Sequence, residues 1–404
     1  MLRFATSLTG DMHIESLKVA LLNYIIAKQK GEKFLVMIEN IDGDHQEILE
    51  MLNLFGITAD EVAYQNHNLR FHQQLATKLL MDKKAFNCFC TDKTLEEKYD
   101  GTCKNLPDSE VIDNENPFCV RIKSPQKPIM IADKIEGKQE FTPEEIDDFI
   151  ILKVDKTPTF NFACALDDML SDISFVVSKK TNILDSAKQI HIRNSLGYDK
   201  DIEYAHIPEL LFESDTTFSV KKLLEEGFLP EAITNYLLLT GYEAPNEFFT
   251  LEEAIEWFDI SKVSKTPTKF DINKLKTLNA KHIKSLDSLK LASFVGFKSK
   301  DIGELAKLYT EESTLINDIK ENIETVFSKK SCKDDDCQKI KEVIKNAPHF
   351  EKFEDFKNYL KKETKLEDEN LLKSLRFILT GVQGKINLSD IYPYIKNYIK
   401  EIAR

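Results

Sequence analysis

The stretch Arg3-Phe-Ala-Thr-Ser-Leu-Thr-Gly-Asp-Met-His-Ile-Glu-Ser16 decides the fold. Its apolar start predicts a short strand, and Thr9-Gly10 predicts a turn. After His13, apolar residues recur at helical spacing, so a helix is predicted to begin there. A strand, a glycine-bearing turn and a helix N-terminus offer free backbone N–H groups that suit phosphate, although an ordinary first βα unit has the same pattern.

Predicted strands and helices alternate along the first part of the chain, which favours a parallel sheet. Residues 86–140 change character and indicate a smaller inserted α+β module. From about residue 217 the pattern is helical almost to the end. The opening elements are a helix over 14–30, a buried strand over Lys33–Ile38, a helix over His45–Leu54 and a helix over Leu69–Lys84.

Length and composition indicate a globular protein with room for two to four domains, because 404 residues with 42% apolar content can bury a sizeable core. No apolar run reaches the roughly 18 residues of a membrane span. Charged residues enter at once, so no signal peptide is predicted. Seven cysteines without an export signal favour reduced thiols in a cytoplasm, with Cys332 and Cys337 in a solvent-exposed loop.

The net charge of −13 opposes nonspecific attraction to nucleic acid. Lysines do cluster locally, as between Lys262 and Lys276. Such a cluster can bind RNA, but it is at least as typical of a solvated helix face.

The opening stretch resembles the first signature of the bacterial-type glutamyl-tRNA synthetases, class I enzymes that begin Arg-Phe-Ala-Pro-Ser-Pro-Thr-Gly and continue to His-Ile-Gly. Glu15 replaces the last glycine of that signature. Further resemblance, over residues 160–168, 220–241 and 375–381, follows in the family's order, so it spans nearly the whole chain. The matching positions of the signature are Arg3, Phe4, Ala5, Ser7, Thr9, Gly10, His13 and Ile14.

The resemblance implies an α/β plus all-α fold, a Rossmann-type nucleotide-binding domain with an α+β insertion followed by helical domains. The implied boundaries are a first Rossmann half over 1–80, an inserted acceptor-end-binding domain over 81–165, a second Rossmann half over 166–215, a stem-contact domain over 216–300 and an anticodon-binding domain over 301–404.

The resemblance also implies a reaction, in which glutamate and ATP form an acyl-adenylate and glutamate then passes to tRNA. The protein's part is to position the carboxylate and stabilise charge on the phosphates. His13 is the implied catalytic residue, because it matches the histidine that meets the phosphates. A surface arginine and a strand-end acid are the structural alternatives. The implied glutamate-binding residues are Arg3, Ser7, Glu39, Phe160 and Asn161, and the implied ATP-binding residues are Thr9, Gly10 and His13.

Several positions depart from the family pattern. Glu15 adds bulk and negative charge beside a polyanion, and Ser178 stands where the family has a glutamate-binding arginine. The family's mobile Lys-Leu-Ser-Lys-Arg loop has no counterpart, since residues 212–218 contain no lysine or arginine. Losing one preorganised donor typically costs about 10²–10³ in rate. We therefore predict a glutamate–tRNA ligase of weak or lost activity; the alternative is an inactive paralogue that binds tRNA or a protein.

The implied cofactors are ATP with Mg²⁺, if the protein is active, and zinc is doubtful. Cys88, Cys90 and Cys103 match a zinc site of some family members. The fourth ligand there is a histidine, which is Asn105 here, and three thiolates are one ligand short of a closed structural site.

The expected partners are glutamate and a tRNA for glutamate or glutamine. We expect no DNA and no membrane as partners. The protein is expected to be a monomer in the cytoplasm.

Overall fold

The computed structural model describes residues 1–6, 12–39, 45–90, 99–213, 218–332, 334–381 and 386–404. These residues form two compact units. The sheet unit comprises Met1–Lys221 and Leu237–Phe270, and the helical unit comprises Lys222–Tyr236 and Asp271–Arg404.

The strands are β1 (Leu2–Thr6), β2 (Phe34–Ile38), β3 (Glu61–Tyr64), β4 (Ala85–Cys88), β5 (Cys119–Ile122), β6 (Ile129–Asp133), β7 (Gly137–Phe141), β8 (Ile150–Leu152), β9 (Phe175–Lys179), β10 (Glu203–Ile207), β11 (Leu210–Leu211) and β12 (Thr268–Lys269).

The helices are α1 (Ile14–Lys30), α2 (His45–Leu54), α3 (Leu69–Met81), α4 (Asp108–Ile112), α5 (Pro143–Ile146), α6 (Phe160–Leu170), α7 (Ile183–Leu196), α8 (Val220–Glu226), α9 (Pro230–Leu239), α10 (Leu251–Trp257), α11 (Ile272–Ser285), α12 (Ser288–Phe294), α13 (Lys300–Lys307), α14 (Ile316–Phe327), α15 (Asp335–Asn346), α16 (Phe353–Thr364), α17 (Asp368–Thr380), α18 (Leu388–Ile395) and α19 (Ile399–Ile402).

A seven-stranded sheet in the order β3-β2-β1-β9-β10-β6-β7 organises the sheet unit. All neighbouring strands are parallel except β6 and β7. The chain runs outward from β1 through β2 and β3, and later returns to add β9 and β10 on the other side. The carboxyl ends of β1 and β9 therefore flank a topological switch point, where open α/β sheets bind ligands.

Helix α1 is positioned against the centre of this sheet by burial and by one polar residue. Most of its side chains are buried. The Asn23 amide donates to the carbonyl oxygen of Val177 at 3.0 Å, and its Oδ1 accepts the Val177 N–H at 3.0 Å. Because this bridge joins α1 to β9, it fixes the helix N-terminus near the switch point. Gly31 ends the helix with a positive φ of 64°, a conformation that glycine adopts without strain.

The region predicted as an inserted module contributes to two sheets. Strands β4, β5 and β8 form a separate antiparallel sheet. Strands β6 and β7 instead extend the main sheet, where Tyr204 of β10 is the register partner of Asp133 of β6. This pairing joins segments about 70 residues apart in sequence, which local patterning does not reveal. The predicted boundaries of the insertion stay a prediction.

The helical unit packs α11 to α19 around one hydrophobic cluster that includes Ile283, Leu291, Ile319 and Leu375. Helices α12 and α13 approach closely at Gly303. A Cβ atom there would lie 1.7 Å from the carbonyl oxygen of Ser288, so only glycine permits this contact.

Cys332 and Cys337 form a disulfide, which contradicts for these two residues the prediction of reduced thiols and of a solvent-exposed loop, while the other five cysteines are free. The reason is local, because Cys337 lies in the first turn of α15 and is buried, which brings the two Cα atoms to 5.4 Å. Among the described residues, no helix has both the length and the apolar content that crossing a membrane requires.

Candidate active site

A cavity of about 160 Å³ lies at the carboxyl ends of β1 and β9, at the switch point of the sheet. It combines charged, polar and apolar side chains from both halves of the sheet. Those relevant here are Arg3, Glu39, Phe160, Cys164, Ser178, Lys179, Asp185 and Gln189.

Arg3 lies on β1 and is 8% exposed. Its Nε donates to Asp168 Oδ1 at 2.6 Å and its Nη2 donates to Asp168 Oδ2 at 3.0 Å, so the guanidinium makes a bidentate ion pair. Burial alone would lower the pKa of Arg3, but the attraction and hydrogen bonds of Asp168 raise it overall. The arginine that we expect to bind glutamate thus lines the cavity with much of its fork already paired.

Glu39 follows β2 and also lines the cavity. Burial raises the pKa of its carboxyl group, while the nearby charge of Arg3 lowers it in part. The Cys164 thiol donates to Glu39 Oε1 at 3.8 Å. A carboxylate and a guanidinium therefore face one cavity, an arrangement that suits a ligand with both an ammonium and a carboxylate group.

Phe160 and Asn161 are the first residues of α6, but their side chains lie in different surroundings. Phe160 lines the cavity and is 50% exposed. The Asn161 amide donates to Asp185 Oδ1 at 2.7 Å, and its oxygen accepts from Gln189 Nε2 at 3.1 Å. Asn161 thus acts as a link to α7 and orients two residues that do line the cavity.

His13 caps the N-terminus of α1, where its Nδ1 accepts the Glu15 N–H at 3.3 Å. Its ring packs edge-on against Phe212 with centroids 5.5 Å apart. Burial lowers the pKa of His13; the charge of Glu15 opposes this shift and the charge of Lys179 adds to it.

The Glu15 carboxylate has internal partners from two other elements. Its Oε1 accepts the backbone N–H of Leu210 at 2.8 Å, and its Oε2 accepts from Lys179 Nζ at 3.0 Å. The side chain is 15% exposed. We name this arrangement, Glu15 with Lys179 and the Leu210 N–H, the Glu15 bridge. It joins the N-terminus of α1 to the carboxyl end of β9.

Sequence reasoning missed Lys179 and Asp168 as parts of this site. Lys179 is the last residue of β9, and the carboxyl end of a parallel strand is a position where functional side chains gather. Asp168 lies in the family-like segment 160–168, but its pairing with Arg3, 165 residues earlier in the chain, left no signal in the sequence.

Several predicted residues fall outside the described part of the chain. Ser7, Thr9 and Gly10 of the first signature do so, as do the substitutions Asn40 and Ile41. Residues 214–217 of the loop that lacks lysine and arginine are also outside it.

His206 occupies a buried structural network. Its Nδ1 lies 2.6 Å from Asp133 Oδ2 and its Nε2 lies 2.9 Å from Ser186 Oγ. The imidazole is fully buried, and it joins β10 to β6 and α7. This arrangement gives His206 a structural role.

The predicted metal ligands come together at the three-stranded sheet. The Sγ atoms of Cys88, Cys90 and Cys103 all lie within 4.8 Å of one another. Asn105, at the position of the family's fourth ligand, is exposed. Three sulfur donors fit zinc in type but leave a closed tetrahedral site one ligand short.

The model for the catalytic domain of class I tRNA synthetases (E and Q) matches residues 1–277. The chain belongs to this family. Its relatives include "Glutamate--tRNA ligase 2" of Sulfurimonas denitrificans, 48% identical with both chains covered in full, and "Glutamate--tRNA ligase 2" of Campylobacter jejuni subsp. doylei, 46% identical with the same coverage.

The fold of this chain is similar to that of solved structures over nearly its whole length. A glutamate tRNA ligase from Elizabethkingia meningosepticum, solved with its amino acid, has a TM-score of 0.79 at 21% identity, over 99% of this chain and 97% of that one. The predicted fold class, a Rossmann-type domain followed by helical domains, is confirmed. Family members use ATP to activate their amino acid.

Proposed function

We propose that this protein is a glutamate–tRNA ligase family member that binds glutamate and its acceptor tRNA but activates glutamate with ATP weakly or not at all. Similarity over the full length of relatives with the ligase name supports the substrates. The alignment with the Sulfurimonas denitrificans ligase spans 432 positions, of which the 404 residues of this chain fill all but 28. A chain that lacks a loop of the family is expected to fall short of the aligned length in this way, whichever segments are missing.

The Glu15 bridge is the observation that carries the proposal. A helix N-terminus at a switch point is where a phosphate chain binds most favourably in such folds. In this chain the Glu15 carboxylate lies at that helix N-terminus and accepts a hydrogen bond from the Leu210 backbone N–H. Like charge opposes ATP at this position, and the carboxylate's partner Lys179 is already committed to it.

Other cations near the sheet edge are also committed to acids. Lys180 Nζ lies 2.9 Å from Glu136, and Lys221 Nζ lies 3.5 Å from Glu47. An ion pair that must be broken before a cation can meet phosphate weakens binding of the phosphate. These pairs leave less preorganised positive charge to stabilise the phosphates in the transition state, so they support slow activation of glutamate.

The proposal predicts that ATP–pyrophosphate exchange with glutamate stays at background. The assay contains Mg²⁺, glutamate and tRNA preparations specific for glutamate and for glutamine. The variant Glu15→Gly restores the glycine of the family signature. It should not restore exchange, because residues 212–218 still lack lysine and arginine. Robust exchange by the unmodified protein at ordinary enzyme concentration would overturn the proposal of impaired activation.

Binding of tRNA is measured separately, by gel shift over a salt series with duplex DNA as the control ligand. We expect binding at low ionic strength that weakens as salt rises, since phosphate contacts release counterions. The helical region after residue 220, which resembles the family's tRNA-contacting domains, supports this expectation. Absence of any tRNA complex at low salt would contradict it.

The remaining partners are proposed on the same basis. We propose a cytoplasmic monomer that binds neither DNA nor membranes. The identity of the acceptor tRNA, for glutamate or glutamine, is decided by comparing the two tRNAs in the gel shift.

A further inference from the structure

Helix α7 contributes two polar side chains to the cavity that the family resemblance does not assign. Asp185 and Gln189 both line the cavity. They lie four residues apart on one helix, so they share a face of it. Gln189 is 5% exposed. The helix is also anchored to β10, because Ser186 Oγ lies 2.9 Å from Nε2 of the buried His206. This face of α7 is therefore held in place before a ligand binds.

Asn161 fixes the orientation of the Gln189 amide. A carboxylate only accepts hydrogen bonds, so the 2.7 Å contact with Asp185 Oδ1 is made by the NH₂ group of Asn161. The oxygen of Asn161 then faces Gln189, and the NH₂ group of Gln189 donates the 3.1 Å contact there. The charge of Asp185 thus determines, through Asn161, that Gln189 keeps its carbonyl oxygen for another partner.

Two acceptor oxygens on α7 are unused within the described part of the chain. Gln189 Oε1 and Asp185 Oδ2 have no hydrogen-bond donor among the described residues. Neither atom is completely enclosed by protein. Together with the carboxylate of Glu39, they provide three acceptor groups around one cavity.

Three acceptors match an ammonium group. Such a group has three N–H donors, and each of them loses water when the group enters a cavity. The carboxylates of an amino acid have no donor to offer these oxygens, and they suit the guanidinium of Arg3 instead. The face of α7 therefore favours the amino end of a ligand.

We propose that Gln189 is a further glutamate-binding residue, whose Oε1 accepts a hydrogen bond from the ammonium group of the substrate. Asp185 Oδ2 supplies a second acceptor, and Asn161 is a positioning residue that acts through Gln189. Glu39 completes the set of acceptors. This inference rests on the proposed function, because it deepens the description of the same glutamate site.

The alternative is a purely structural role, since the same hydrogen bonds tie α6 to α7. The two roles differ in which ligands they affect. A structural defect weakens every ligand of the cavity, whereas loss of an ammonium contact weakens only ligands that carry an ammonium group. Glutarate has both carboxylates of glutamate and no ammonium group, so it separates the two roles.

The test compares glutamate and glutarate in calorimetric titrations of the full-length protein, with glutarate measured by competition against glutamate where its own heat is small. Gln189→Met keeps the length of the side chain and removes the acceptor. We expect glutamate to bind about 10- to 100-fold more weakly and glutarate to change by less than about twofold, as for a lost hydrogen bond to a charged group. Gln74→Met, the same change at an exposed position of α3, is the matched control.

Asp185→Asn gives a second effect, which has opposite signs for the two ligands. An asparagine at this position lets Asn161 and Gln189 turn over together, and it removes a negative charge from the cavity. Glutamate should bind more weakly because its ammonium group loses acceptors. Glutarate, a dianion, should bind equally well or more tightly because a repulsive charge is gone.

Thermal unfolding shows which variants are folded, and the Asp185→Asn result decides the question if Gln189→Met does not fold. Unchanged glutamate binding in Gln189→Met, or an equal loss of both ligands in either variant, would overturn this inference and leave the proposed glutamate site standing. Absence of glutamate binding by the unmodified protein would instead overturn the proposed glutamate site, and this inference with it.

Discussion

Two neighbouring parts of one sheet edge differ in how they use charge. At the cavity, Arg3 is buried and Glu39 is half-buried, and both line open space. At the N-terminus of α1, the carboxylate and cation of the Glu15 bridge bind each other and a backbone N–H. Buried charges need partners. Arg3 has one in Asp168, so this pair stabilises the fold while Arg3 still lines the cavity. Among the described residues Glu39 accepts from the Cys164 thiol, which is a weak donor, so its carboxylate remains available to a ligand.

The largest effect should come from Arg3→Ala, which leaves Asp168 buried without its bidentate partner. Among the described residues, the cation that remains near Asp168 is Arg193, whose Nη1 lies 4.0 Å away. Removing one member of a buried pair costs about 3–5 kcal/mol. Urea denaturation should show this loss in the free energy of unfolding. The control is Lys33→Ala, whose pair with Glu61 is solvent-exposed and should contribute little to stability.

A loss near that of the control would mean that Arg3 and Asp168 are not coupled in solution. It would also leave the whole guanidinium free for ligand binding, which would sharpen the contrast between the two regions.

The second-largest effect should be on glutamate binding in the cavity. Glu39→Gln removes the negative charge that would meet the substrate's ammonium group. Hydrogen bonds to charged groups contribute about 1.5–3 kcal/mol, so glutamate should bind about 10- to 100-fold more weakly in calorimetric titration. Glu140→Gln, an exposed change on β7, is the matched control.

The pH dependence gives a second measure of Glu39. Because burial raises its pKa above the ordinary 4.5, its contribution to stability is present at low pH and is lost as pH rises through the raised value. Relative to Glu39→Gln, the protein should therefore lose stability as pH rises above about 4.5, while glutamate binding strengthens. Parallel pH profiles for the two proteins would show that Glu39 is not perturbed.

The smallest effect is expected at the Glu15 bridge. Glu15→Gln keeps an acceptor for the Leu210 N–H but removes the charge that holds Lys179. We expect a loss of about 1 kcal/mol in the free energy of unfolding, since both side chains remain partly hydrated. Lys200→Gln, which breaks an exposed pair with Asp172, should cost less. Equal costs would indicate that the bridge is an ordinary surface pair.

Local patterning predicted those parts of the molecule that depend on local sequence. The helix over His45–Leu54 has the bounds that the sequence predicted, and the strand over Phe34–Ile38 differs by one residue. The end of α3 was predicted three residues too late, because its last turn gives way to a turn at Lys83 with positive φ.

What the sequence alone could not supply are contacts between distant segments. The partner of Glu15 lies 164 residues away, and Cys119 meets Cys88 only through the register of β4 with β5. Strands β6 and β7, which lie within the segment predicted as the insertion, pair with the main sheet through β10, and hydrogen bonding across a sheet leaves no local trace in the sequence. The family resemblance located the site, but which charges remain available there depends on these pairings.

The central position of β1 has a consequence for synthesis on the ribosome. Its neighbours are β2, which follows within 40 residues, and β9, which begins at Phe175. One edge of β1 therefore remains unpaired until more than 170 residues have been translated. Such a long-range pairing slows folding and exposes a sheet edge to aggregation, so the nascent chain is the form most in need of a chaperone.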